Sequence, residues 1–123
     1  MVQLIGGEPT LHPALPSLVR HALRQGLEVE IFSNLTHVTP HLWELFAQSG
    51  TQLATSYYSD KAWEHEAVTR RHGSYARTKR NVIEAISRSI PLRVGLIDVR
   101  AGQRVEQARA ELTALGVTNI GTD

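Results

Sequence analysis

Five consecutive residues, Gly6-Gly7-Glu8-Pro9-Thr10, gather the most chemically suggestive groups in the chain. Two glycines allow an abrupt turn that leaves backbone groups open, and proline fixes the exit while biasing Glu8 toward an extended shape. A carboxylate and free carbonyls at such a turn suit an ammonium group. The same residues suit a plain strand-to-helix turn, with Glu8 near the next helix's N-terminus, where the dipole favours negative charge. On the residues alone both readings stand. Ser33-Asn34, the stretch from Ser56 to Ser59, and Asp98 are further polar points, each closing an apolar run.

Other chemistry is poorly supplied. The 123 residues contain no cysteine, which excludes disulfides, cysteine nucleophiles, zinc–thiolate sites and cysteine ligation of a cluster by this chain. Six histidines are scattered, and His37 and His41 straddle Pro40, so no zinc site is expected. Arg70, Arg71, Arg77, Lys79 and Arg80 form a basic cluster without interleaved aromatics, which reads as a solvated helix face, not a nucleic-acid surface. The net charge is +1, and no apolar stretch is long enough to span a membrane. With no secretory signal at the start, the expected location is cytoplasmic.

The elements that must position the polar points follow one grammar. Val2 to Ile5, Glu28 to Ser33, Gln52 to Tyr58, Leu92 to Asp98 and Val117 to Ile120 read as strands. Between them lie helical patterns. The first carries Leu15, Leu18, Val19, Ala22 and Leu23 and ends at Gly26; the second is capped by Thr39, carries Leu42, Leu45 and Phe46, and stops at Gly50. Asp60 is expected to cap a short helix with Trp63, Ala67 and Val68. Ser74 is expected to cap one with Val82, Ile83 and Ile86. Val105 to Leu115 makes the last, ending at Gly116.

Strands alternating with helices, with no hairpin signal, predict an α/β fold with a parallel sheet. Ligands of such sheets sit at the C-terminal strand ends, where the polar points lie. The first strand begins at the second residue with nothing to pair with its outer side, so the run reads as part of a larger sheet. A small, complete doubly wound domain is the alternative.

The motifs also carry a resemblance. Gly6-Gly7-Glu8-Pro9 after a short apolar strand is similar to the motif with which radical S-adenosylmethionine enzymes hold the methionine amino group. Phe32-Ser33-Asn34-Leu35 resembles the end of the family's third strand, usually Thr-Asn-Gly. Thr55 to Ser59 stands where the family often has Ser-Leu-Asp-Gly, with Tyr58 in place of the aspartate. His65, Arg70 to Tyr75 and Asn81-Val82-Ile83 resemble the segment that follows.

The resemblance implies one incomplete core domain over residues 1–123, holding the second to sixth strands of a partial (βα)6 TIM-type barrel. It implies that Gly6, Gly7, Glu8 and Pro9 bind the methionine amine, and that Ser33, Asn34 and Ser56 face the cofactor. Arg71, or Arg70, would pair with the carboxylate, and Asp98 would approach the ribose. The implied cofactors are S-adenosylmethionine and, in the full-length family only, a 4Fe-4S cluster on a Cys-x-x-x-Cys-x-x-Cys loop that this chain lacks. The chain is then expected to be inactive alone and to self-associate through open sheet edges, its substrate unknown. The alternative is a stand-alone α/β ligand-binding or regulatory module. A third reading makes Glu8 or Asp98 a general base.

Overall fold

The computed structural model describes residues 1–97 and 104–122. Five strands, β1 (Val2–Leu4), β2 (Val29–Phe32), β3 (Thr51–Tyr57), β4 (Leu92–Leu96) and β5 (Asn119–Thr122), form one sheet. All neighbouring pairs are parallel and the spatial order is that of the chain, β1-β2-β3-β4-β5. The helices are α1 (Leu15–Arg24), α2 (Pro40–Phe46), α3 (Ala62–Thr69), α4 (Ser74–Ser87) and α5 (Val105–Leu115), with one 3-10 turn over Pro9–Leu11.

Strand register explains how the layers form. Residues paired across parallel strands share a face, so Val29 and Ile31 lie on the same side as Leu53, Tyr57, Val94 and Leu96. These side chains join Leu15 and Val19 of α1, Leu45 and Phe46 of α2, Val82 of α4 and Leu112 of α5 in one buried cluster. The helices therefore cover one face. The other face carries Gln3, Glu30, Phe32, Gln52, Ala54, Ser56, Arg93 and Gly95.

A doubly wound sheet reverses its strand order and carries helices on both faces. This sheet does neither. It has the sequential winding of a partial, open TIM-barrel-like α/β fold: the parallel sheet is the one expected from the alternation, and the barrel-like winding the one the resemblance implies.

The alternation of apolar and polar residues within β2 (Val-Glu-Ile-Phe) and β4 (Leu-Arg-Val-Gly-Leu) records the same one-sided cover. On the uncovered face Glu30 is buried, with only 3% of its side chain exposed. It accepts hydrogen bonds from Gln3 and Gln52 (both 2.7 Å) and from Arg93 (2.8 Å). The Arg93 guanidinium hydrogen bond holds the Glu30 carboxyl below its usual range, against the opposing effect of burial.

Several local expectations shift. Lys61, not Asp60, caps α3, because Asp60 pairs with Arg104 at 2.8 Å. Gly73 at φ +80° caps α4, and Ser74 becomes its first residue. Trp63 (68% exposed) and Ile83 (44%) face solvent instead of the core, as does Leu18 on α1. The last strand begins at Asn119, because Val117 buries its side chain in the core just after the Gly116 cap. Asp98 lies outside the described residues.

Candidate functional site

Gly6 and Gly7 both take positive φ (+97° and +55°), a turn that suits residues without a Cβ. It carries the chain from β1 into the 3-10 turn, where Glu8 is the N-cap and its carboxylate accepts from the Thr10 amide at 3.0 Å. The strand-to-helix reading of Glu8 is thus realised, but only as half of its role. The same carboxylate also accepts from the Thr10 hydroxyl, from Ser33 Oγ (2.9 Å) and from the Asn34 amide (2.7 Å). Glu8 therefore ties the end of β1 to the end of β2. Four donors occupy most of a carboxylate's capacity, which removes the basis for Glu8 as a general base.

Ser33 and Asn34 are likewise engaged. Ser33 Oγ accepts from the Leu35 amide at 3.0 Å, and Asn34 Oδ1 accepts from the Thr36 amide (3.0 Å) and hydroxyl (2.8 Å). Leu35, at the glycine position of the motif it resembles, takes φ +54°. That conformation is unfavourable for leucine. It is held by complete burial of the side chain and by α4, from which Thr78 donates to the Asn34 carbonyl (2.9 Å) and Asn81 to the Leu35 carbonyl (2.6 Å).

A cavity of about 240 Å³ opens between these strand ends and the α3–α4 corner. Gly7, Glu8, Ser33, Asn34, Ser56 and Arg71 all line it, so six of the nine expected residues meet at one place. Gly6 and Pro9 instead face an apolar groove of about 430 Å³ along the free edge of β1, which Gly7 and Glu8 also border. Ser56, on the uncovered face of β3, has no hydrogen-bond partner among the described residues, and neither does the exposed Arg71 guanidinium.

The rest of the lining comes from residues that the motifs did not single out as ligands: Phe32, Thr36 and Tyr58 near the strand ends, His65 and Thr69 of α3, and Ser74 and Thr78 of α4. The Thr69 and Ser74 hydroxyls share a 2.7 Å hydrogen bond. A signal for α4 did exist. Ser74, Thr78, Asn81, Val82 and Ala85 form one buried stripe at helical spacing, so polar residues continue an apolar face toward one end. Behind the wall, Tyr57 and Tyr75 both donate to Glu111 of α5, and burial raises both phenols above their usual range.

The cavity is therefore two-sided. The Glu8 carboxylate and the Asn34 side chain lie at the ends of β1 and β2, and Arg71, Thr69, Ser74 and His65, all able to donate, lie at the α3–α4 corner. No group of three or more metal-binding side chains occurs among the described residues. Nor is any helix there long and apolar enough to cross a membrane.

No protein-family model matches the sequence, and no curated protein does either. The fold, however, is similar to that of SuiB from Streptococcus suis. The structure of SuiB bound to S-adenosylmethionine superposes with a TM-score of 0.85 at 14% identity, covering 98% of this chain. SuiB bound to its precursor peptide SuiA gives the same values, and a further SuiB structure gives 0.82 at 15% identity. The chain spans 28% of the length of these proteins. At such identity the likeness carries the fold.

Proposed function

We propose that this chain is the S-adenosylmethionine-binding part of a radical S-adenosylmethionine enzyme core. The observation that carries the reading is the two-sided cavity at the C-terminal strand ends, which complements an amino acid's ammonium and carboxylate. The motif resemblance and the fold shared with a protein bound to S-adenosylmethionine support it.

In this reading the Gly6-Gly7 turn offers its backbone to the ammonium, with Glu8 fixing the turn and adding negative charge and Pro9 setting its exit. Ser33 and Asn34 act by holding Glu8 and the β2 end, because their groups are largely committed to each other. Ser56 supplies a free hydroxyl from β3, and Arg71 a free guanidinium for the carboxylate. Asp98 would contact the ribose.

In the family resembled, a reduced 4Fe-4S cluster cleaves the bound cofactor to begin radical chemistry. Without cysteine, the residues present do not fit that cluster, and the part assigned to them is binding and orientation.

Titration calorimetry with S-adenosylmethionine tests the reading. Binding in the millimolar range, about −4 kcal/mol, is expected for the chain, with a loss of about tenfold or more in a Glu8→Ala, Ser56→Ala double variant. Unchanged affinity in the variant, or no binding by the parent chain, would overturn it.

The four internal hydrogen bonds of Glu8 favour a second reading, a stand-alone α/β ligand-binding module in which the turn is purely structural. That reading requires a well-behaved monomer that unfolds cooperatively.

A further inference from the structure

His65 lies on α3 with 1% of its surface exposed. Its ring meets Tyr57, Tyr58 and Tyr75 at centroid distances of 5.3, 5.2 and 5.7 Å, in edge-on contacts that leave its nitrogens unused. Nδ1 is closed off from solvent and has no hydrogen-bond partner. A buried N–H without an acceptor costs more than an idle lone pair, so the proton is assigned to Nε2, the ring nitrogen that is not closed off. Burial also keeps the ring neutral, pushing its pKa down to about 4 although Glu66 and Glu111 pull the other way. At neutral pH the wall of the cavity thus contains a neutral N–H donor for which the described residues provide no acceptor.

The neighbours of that donor are themselves rich in donors. Thr69 and Ser74 spend one hydroxyl hydrogen on each other, which leaves a second. The Arg71 guanidinium has no partner among the described residues. Glu66, a carboxylate of the same helix, already accepts from the Tyr75 amide (3.4 Å) and faces His72 (3.7 Å). Surplus donors without acceptors call for a ligand group that only accepts, and a carboxylate is such a group.

We propose that His65 is a further binding residue of the cavity, donating its Nε2–H to the carboxylate of the ligand's amino-acid end. This rests on the S-adenosylmethionine reading above. It makes His65 a specificity residue: a ligand that keeps the amine but lacks the carboxylate gains nothing from it.

The test compares S-adenosylmethionine with its decarboxylated analogue, S-adenosylmethioninamine, on three forms of the chain. His65→Phe keeps an aromatic ring in the tyrosine box and removes the donor, whereas His65→Gln keeps an N–H of similar reach. Expected are about tenfold weaker binding of S-adenosylmethionine by His65→Phe, unchanged binding of the analogue, and substantial recovery in His65→Gln. Equal affinity of parent and His65→Phe for S-adenosylmethionine would overturn the role, as would equal loss of both ligands. A parent chain that binds neither ligand would overturn the S-adenosylmethionine reading itself, and this assignment with it.

Imidazole nitrogen NMR on the unmutated chain needs no folded variant. It should show the Nε2–H tautomer at pH 7, with Nε2 shifting on addition of S-adenosylmethionine and not of the analogue. An Nδ1–H tautomer, a charged ring, or an Nε2 that responds equally to both would sink the proposal.

Discussion

Four donors converge on the Glu8 carboxylate, from the 3-10 turn and from the end of β2, so its first duty is to join two strand ends. Glu8→Gln keeps the shape but loses the charge and one acceptor oxygen. It should lower unfolding free energy by about 1–3 kcal/mol in urea denaturation and speed exchange of the Asn34 amide. His65 gives a second test. The unfolded chain takes up this proton near pH 6.5 and the folded chain near 4, so between those values the unfolded state binds more protons. Stability should therefore fall as pH drops from 6.5 to 4, by on the order of 3 kcal/mol, and His65→Phe should flatten that limb of a thermal-melt profile. Glu30 and Asp60, whose carboxyls are lowered by hydrogen bonds from Arg93 and Arg104, contribute their own loss only below about pH 4.5. The sequence made Gly7, Glu8, Ser33, Asn34 and Ser56 legible because each ends an apolar run. The commitment of Glu8 and Ser33 to each other was not legible, since it depends on β1 and β2 lying side by side.

At the scale of elements, α4 holds the cavity's shape by docking onto the loop after β2. Asn81→Ala would leave the Leu35 carbonyl buried without its donor and release a leucine held at positive φ. A loss of about 1–3 kcal/mol is expected in chemical denaturation, with weaker ligand binding as a consequence. Helical periodicity located α1, α2, α4 and α5 well, because a stripe repeated over two or more turns has one natural inside. It failed on α3. Its large aromatic, Trp63, reads as core when taken alone but is exposed. Instead Glu64 and His65 turn inward: Glu64 accepts the Arg104 amide at 2.9 Å, and His65 packs among tyrosines from β3 and α4. Both partners are distant in sequence, and no local pattern announces them. The caps failed for a related reason, since Asp60 is a good capping residue that a distant arginine claims.

For the molecule as a whole, alternation of strands and helices was enough to predict a parallel sheet, and the sequential strand order fixed which kind. Two properties follow from its one-sided cover. The buried Glu30 depends on Gln3, Gln52 and Arg93, drawn from three other strands, so Glu30→Ala should destabilise the whole sheet. Because Arg93 is two-fifths exposed, about 1–3 kcal/mol is expected, less than for a fully enclosed pair, read as a lower urea midpoint. The outer edge of β1 is flanked by exposed Met1, Ile5, Leu11 and Leu18. Concentration-dependent association of the chain is expected in sedimentation velocity, and Ile5→Lys with Leu11→Lys should suppress it. The sequential order has one more consequence, for the chain as it is being made. Every wall of the cavity comes from residues between Gly7 and Thr78, and each strand up to β3 pairs with the one before it. A nascent polypeptide that has cleared the ribosome as far as α4 thus carries every residue that lines the cavity, and an occupant of that cavity would stabilise the half-built chain while β4, α5 and β5 are still being translated.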